Sequence, residues 1–239
     1  MRFVQVKTPE QIDMQALHRI RDRIAGNRTQ LICQIRAFCL EYGIAIHQGA
    51  GKFKAAIGNV IADEANELTP SMRGLLTGLW DEFQLLDRRL TDVTRQVEDL
   101  AAKSEPVQRL MSIPGLGPLN ATALLAAIGD GKQFAKARDL AAWLGLVPRQ
   151  HSTGGKTTLL GISKRGNAYV RRLLVHGARA CVAHLNRQGN MLGSWLDRLD
   201  GRMHRNKVIV AMAAKIARMA WAVLIRPGAT YERRDLACA

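Results

Sequence analysis

The sequence has no CxxC pair, no apolar run long enough to cross a membrane and, in its second half, very few acidic residues. Its four cysteines, Cys33, Cys39, Cys181 and Cys238, are scattered, a spacing that suits neither a zinc site nor a disulfide framework. The longest apolar stretch, Val208 to Ile225, is broken by Lys215 and Arg218, which marks a buried helix rather than a membrane span. The N-terminal MRFVQVKTPEQ lacks the apolar core of a secretory signal, so a cytosolic location is expected. Beyond Glu105 only Asp130, Asp139, Asp197, Asp200, Glu232 and Asp235 are acidic, and they form no constellation for two-metal chemistry. His176 and His184 are two helical turns apart with no acid beside them, so they read as structural or solvated. No metal site is expected in this chain.

What is present is cation. The 239 residues carry 35 Lys and Arg against 20 Asp and Glu, a formal net charge of +15. Met1 to Glu105 holds 14 basic and 14 acidic residues; the remainder holds 21 and 6, so the whole excess sits in the second half. A neutral half joined to a cationic half implies that the second half meets a polyanion, most often nucleic acid, with an anionic membrane surface as the alternative. The length and an apolar fraction of 47% suit a globular chain with a sizeable core.

The first half reads as long helices. Leu17, Ile20, Ile24, Leu31, Ile35 and Phe38 form a stripe at helical spacing from about Asp13 to Tyr42, ended by Gly43 and the glycines at 49 and 51. A second helix is expected from Phe53 to Leu68. Pro70 then opens a third at the position proline tolerates best. In that helix Met72, Leu76, Leu79, Phe83, Leu86, Leu90, Val93, Val97 and Leu100 alternate spacings of four and three. Such a seam needs a partner, either the first helix folded back or the same helix of another subunit. The expected division is a helical, coiled-coil dimerisation region over 1–105 and a second domain over 106–239, joined by a linker from Ala102 to Pro106. In the second domain helices are expected at about 121–128, 135–144, 166–187 and 205–224, with a loop from Gly145 to Gly161 and a frayed tail from Pro227. The fold class is mainly α.

Three segments could carry chemistry. Ser112-Ile113-Pro114-Gly115-Leu116-Gly117-Pro118, followed by an Ala- and Leu-rich helix, has the form of a helix-hairpin-helix. Gly115 and Gly117 would make a tight turn whose N–H groups face a phosphate, reading backbone rather than sequence. The bland reading is an ordinary helical hairpin. The second segment runs from Pro148 to Thr158. Its GGKTT fails as a P-loop, because GxxxxGK[ST] would need glycine where Gln150 stands. Instead two hydroxyls, Ser152 and Thr153, sit beside Gly154 and Gly155 and are flanked by Arg149, His151 and Lys156. A serine that attacks a phosphodiester needs such cations and such access; a flexible phosphate-binding loop would use the same residues without a covalent step. The third segment, Ile162 to Asn167, opens a helix with Ser163 as its expected cap. It offers Lys164, Arg165, Arg171 and Arg172 to a nucleic-acid backbone.

Taken together, SIPGLGPLNATALLAAIGD and LAAWLGLVPRQHSTGGKTTLLGISKRGNAYVRRLLVHGARA resemble the C-terminal domain of insertion-sequence one-ten family transposases, most closely the subgroup with STGGK and ISKRGN. The resemblance covers at least Val107 to Arg226. It implies an enzyme that cuts and rejoins DNA through a covalent phosphoserine, is guided by a structured bridge RNA and assembles as dimers that pair. It also implies an N-terminal RNase H-like domain with a DEDD site, the only place where Mg2+ is expected. The chain begins at what would be the tail of that domain, so the expectation is a fragment without cofactor, inactive on its own. The family's serine falls between Pro148-Arg149 and Gly154. Alignment by the following glycine places Thr153 on it, whereas the less hindered primary hydroxyl favours Ser152. The expected partners are DNA, a guide RNA and a second copy of the chain through 1–105, with no membrane among them. The alternative function is a non-enzymatic helix-hairpin-helix scaffold that binds nucleic acid.

Overall fold

The computed structural model describes residues 6–233, which leaves Cys238 and Asp235 outside the described residues. The chain is mainly helical, as its periodicity predicts. It packs as two compact units: Ala16–Gln96, and a second that combines the residues flanking it on both sides.

The first unit is built from three helices: most of α1 (Pro9–Glu41), α2 (Ala50–Ala62) and most of α3 (Pro70–Lys103). Pro70 is the first residue of α3, where its missing N–H costs nothing. The α3 stripe faces inward: Leu76, Phe83, Leu86 and Leu90 are buried with Ile24, Leu31, Ile32 and Ile35 of α1 and Phe53 and Ile57 of α2. Of the two partners that the sequence leaves open for this seam, the structure supplies α1 of the same chain. Arg21 reaches Thr94 and Arg28 reaches Asp87, so α1 and α3 run antiparallel. Asp87 ties the three helices together, accepting from Arg28 at 2.6 Å and Lys54 at 2.7 Å. Both cations hold its carboxyl below the usual carboxylate range, Lys54 most strongly. The α2 helix stops at Ala62, six residues short of the expected end, because Asn66 turns the chain. Its amide donates to Val60 O and its Oδ1 accepts from Leu68 N–H.

The second unit is centred on α9 (Arg205–Leu224), in which Val208, Ile209, Met212, Ala213, Ile216, Ala217, Ala220, Val223 and Leu224 are buried. This is the apolar run that the sequence assigns to a buried helix. Among the described residues no helix is long and apolar enough to cross a membrane. Around α9 pack α4 (Glu105–Met111), α6 (Ala137–Trp143), α7 (Ala168–His184) and α8 (Met191–Asp200); α5 (Pro118–Ile128) packs between α4 and α7.

The second unit departs from the expected pattern in four places. The linker is only a break at Ser104, because Glu105 and Pro106 already begin α4. The loop from 145 to 161 is largely an antiparallel hairpin, β1 (Pro148–Thr153) and β2 (Lys156–Ile162). The α8 helix was not expected at all. It starts at Asn190, whose Oδ1 accepts from Gly193 N–H, and it buries Leu192, Leu196 and Leu199. The segment after Pro227 is not frayed as far as it is described: Tyr231 packs on the core and donates its N–H to Ser112 Oγ at 2.7 Å.

Candidate functional site

The β1–β2 hairpin turns through Gly154 and Gly155, both with positive φ (55° and 77°). A two-residue turn whose twist matches its strands needs that conformation at both positions, which glycine adopts without penalty. Neither face of the hairpin is covered: every residue from Pro148 to Gly161 is exposed, and Leu159 retains 65% of its accessible surface. A two-stranded hairpin with no buried face is marginal in water, so nothing in the core of this unit accounts for it.

The pleat decides which candidates stand together. Ser152 pairs with Thr157 and Gln150 with Leu159, whereas Thr153 pairs with Lys156 and His151 with Thr158. Successive side chains alternate between faces. Ser152 therefore shares a face with Gln150 and Thr157, and Thr153 shares the other with His151 and Lys156. Gln150 Nε2 donates to Ser152 Oγ at 2.8 Å. Arg149 stands where the register shifts between Pro148 and Gln150. The sequence groups Ser152 with His151 and Lys156; the structure separates them across the sheet.

Beyond β2 the chain docks on the end of α6. Ser163 N–H donates to Val147 O and Lys164 N–H to Gly145 O. Lys164 is the one non-glycine residue with positive φ (56°) among those described. Gly166 (φ 75°) lies so close to α6 that an added Cβ would fall 1.8 Å from Trp143 O. Arg171 Nη1 donates to Leu144 O at 3.0 Å and to Arg165 O at 2.7 Å, which ties one guanidinium nitrogen of this expected nucleic-acid contact to backbone. Arg172 is exposed, its Cζ 5.3 Å from the Tyr169 ring centroid. Lys164 and Arg165 are exposed. The cap of α7 is Asn167, whose Oδ1 accepts from Val170 N–H at 3.1 Å, and not Ser163 as expected.

Gly115 and Gly117 lie in the turn between α4 and α5, closed by the Leu116 N–H to Ile113 O bond. Gly115 has φ 90° and lies against the backbone of Gly177 in α7, where a Cβ would meet the carbonyl at 2.8 Å. The N–H groups of Gly115 and Gly117 make no hydrogen bond among the described residues. Asn120 Nδ2 donates to Gly115 O and holds the turn.

The acids are occupied elsewhere. Asp197 and Asp200 clasp Arg187 at 2.8 and 2.6 Å, Asp130 pairs with Lys132, and Asp139 accepts from Lys136 N–H. No Asp or Glu falls anywhere between Asp139 and Asp197. Among the described residues no group of three or more His, Cys, Asp or Glu is placed to hold a metal ion. The donor set present here does not fit magnesium.

Residues 107–192 match the Transposase IS116/IS110/IS902 family, a span that contains the Gly115–Gly117 turn, the hairpin and the basic residues from Lys164 to Arg172. The chain is 45% identical over 226 residues to the transposase for insertion sequence element IS1111A of Coxiella burnetii, covering 95% of this chain and 62% of that protein. It is 43% identical to a probable family 20 transposase of Pseudomonas aeruginosa, covering 95% and 67%. Against the transposase for insertion sequence element IS1328 of Yersinia enterocolitica it is 41% identical, covering 93% and 66%. The chain belongs to the IS116/IS110/IS902 family of transposases. It spans about three-fifths to two-thirds of the length of these relatives.

Proposed function

We propose that this chain is the DNA-joining part of an insertion-sequence transposase and that Ser152 is its nucleophile. The observation that carries this reading is the exposed Ser152 hydroxyl at the end of a hairpin that holds Arg149, His151 and Lys156 and no carboxylate. In the step proposed, Ser152 Oγ bonds to the phosphorus of a DNA phosphodiester. The bond from phosphorus to one bridging oxygen breaks, and the freed strand end takes up a proton. Gln150 donates to Oγ and so leaves the hydroxyl proton free to depart. The base that accepts it is not on the Ser152 face of the hairpin, because His151 projects from the other. It has to be supplied when the hairpin docks on a further element. The acidic, magnesium-binding domain that the family resemblance implies would be that element. Without it the chain is expected to be inactive.

Thr153 is the second reading, favoured by Lys156 directly across from it in the pair. The partners that fit are DNA and a guide RNA, held at the phosphate by the free N–H groups of the Gly115–Gly117 turn in the manner of a helix-hairpin-helix, and by Lys164, Arg165 and Arg172. Dimerisation through 1–105 has to use surface other than the buried α3 seam, and Leu75 and Leu85 stand exposed on α3 for it.

Strand cleavage separates this reading from a non-enzymatic scaffold. With the acidic domain supplied in trans, labelled element ends are expected to be cut by the wild-type chain and by Thr153→Ala. Ser152→Ala should cut at least a hundredfold more slowly, as expected when a nucleophile is removed. Binding without cutting by every variant would leave the scaffold reading in place.

A further inference from the structure

Away from the hairpin, α8, α9 and the segment that follows α9 enclose a groove of about 670 Å³. Its size falls within the range of sites for small organic groups, roughly 300–1,000 Å³. Arg198, Lys215 and Arg226 line it against a single carboxylate, Glu232, and Trp195 and Tyr231 contribute aromatic rings. The outer wall is fixed in place. Tyr231 N–H bonds Ser112 Oγ at 2.7 Å, Arg233 donates to Gln188 O at 2.9 Å, and Arg109 donates to Arg226 O at 2.8 Å.

Lys215 is the unusual member. It is half-buried on α9, has no carboxylate partner among the described residues, and places its ammonium 4.2 Å from the Trp195 ring centroid. Burial, with Arg218 and Arg198 nearby, lowers its pKa from the ordinary lysine value. A desolvated cation in a cationic neighbourhood is a cost to the fold that an incoming anion would remove. The indole offsets part of it. An apolar pocket would instead have been built from the isosteric methionine, which this sequence uses freely next to it at Met219.

We propose that this groove binds an unpaired nucleotide of a nucleic-acid strand, the phosphodiester held by Lys215 and Arg198 and the base set among Trp195, Tyr231 and Met191. Cations beside aromatic rings are the combination that recognises single strands, because every base offers a π-face and every nucleotide a charge. A duplex keeps its bases stacked inside and presents only phosphate, so the groove discriminates unpaired from paired strands. Met191, 53% exposed at the start of α8, stands where such a base would enter. The site lies outside the Ser152 hairpin, and the inference rests on the transposase reading only in taking nucleic acid as the partner.

Fluorescence anisotropy of the full chain with a labelled oligouridylate, the matching oligothymidylate and a duplex tests it. Lys215→Met and Arg198→Gln are each expected to weaken both single strands about five- to tenfold and the duplex less than about twofold. A loss confined to oligouridylate would assign the occupant to RNA, and equal losses to the chemistry that RNA and DNA share. Photocrosslinking with 5-iodouridine should map to the peptides of Trp195 or Tyr231. Unchanged single-strand affinity, or parallel loss of duplex binding, would overturn the proposal. Lys215 is half-buried and its variant can fail to fold; Arg198→Gln and Met191→Glu, both at exposed positions, then decide. The anisotropy reads affinity and not strand cleavage, so failure of the groove and failure of the nucleophile are read separately.

Discussion

Gly166 and Gly58 have opposite roles. At Gly166 the backbone has positive φ and an added Cβ would fall 1.8 Å from Trp143 O, so Gly166→Ala must move the segment that carries Lys164 and Arg165 off α6. It is expected to destabilise by about 2 kcal/mol or more, which lowers Tm by roughly 5 °C or more in a chain of this size. Gly58 lies inside α2 with open space around it, and Gly58→Ala should stabilise by about 0.5–1 kcal/mol. Thermal melts of the two variants give the contrast. His18 supplies a pH signature. It is buried in α1, and that burial, with Arg21 adding repulsion, lowers its pKa to about 4 from 6.5. The unfolded chain therefore binds the proton first. The stability that neutral His18 contributes is complete above about pH 6.5, falls as pH drops, and is lost by about pH 4, a change of about 3 kcal/mol. Asp87, whose carboxyl lies below its ordinary range, adds its own loss only at lower pH. Urea midpoints between pH 7 and 4.5 should fall for the wild type, and His18→Leu should flatten most of that slope.

At the level of elements, legibility follows periodicity. The α1, α3 and α9 helices are readable because each repeats apolar residues over many turns, and tertiary packing then follows that stripe. The reading of α3 stops at its partner: spacing alone shows that Leu76 and Phe83 must be covered, not whether α1 or another subunit covers them. The hairpin carries a turn signal but no hydrophobic period. A Gly-Gly pair between two runs rich in Ser and Thr is a turn signal of moderate strength, but the strands alternate no apolar face, and an element that buries nothing leaves no hydrophobic period to find. The α8 helix is short: its Leu192–Leu196–Leu199 stripe spans only two turns, and Gly193 and Ser194 lower the helix propensity of its first turn. The Ser152 and Thr153 candidates were legible as residue types; their separation onto two faces was not, because it depends on the pairing. If the hairpin contributes little to the fold, replacing Gly154-Gly155 by Ala-Ala should disorder 148–162 while shifting Tm by less than about 2 °C. Hydrogen exchange would then show fast amides across β1 and β2 alone. A large fall in Tm would mean that the hairpin is held by the body of its unit.

For the whole molecule the governing quantity is charge. The excess of +15 lies beyond residue 105, and of the acids there that are described, four are tied to Arg187, Lys132 or the start of α6. The field left for a partner is therefore cationic from the turn at Gly115 through α7. If about six phosphates are neutralised, DNA affinity should fall roughly a thousandfold between 50 and 200 mM salt. A gel-shift titration that shows no salt dependence would contradict that picture. Light scattering of Leu75→Asp with Leu85→Asp should report a monomer if the outer face of α3 joins two copies.

A nucleophilic serine leaves a covalent protein–DNA adduct, and that adduct is its direct signature. The chain is incubated with labelled element DNA, guide RNA and the acidic domain in trans, then resolved on a denaturing gel, and the linked peptide is identified by mass spectrometry. The expected adduct lies on the peptide spanning β1, is kept in Thr153→Ala and is lost in Ser152→Ala. An adduct that persists in Ser152→Ala and vanishes in Thr153→Ala would move the nucleophile to the other face of the hairpin. An adduct that survives loss of both hydroxyls would contradict the assignment of chemistry to this hairpin.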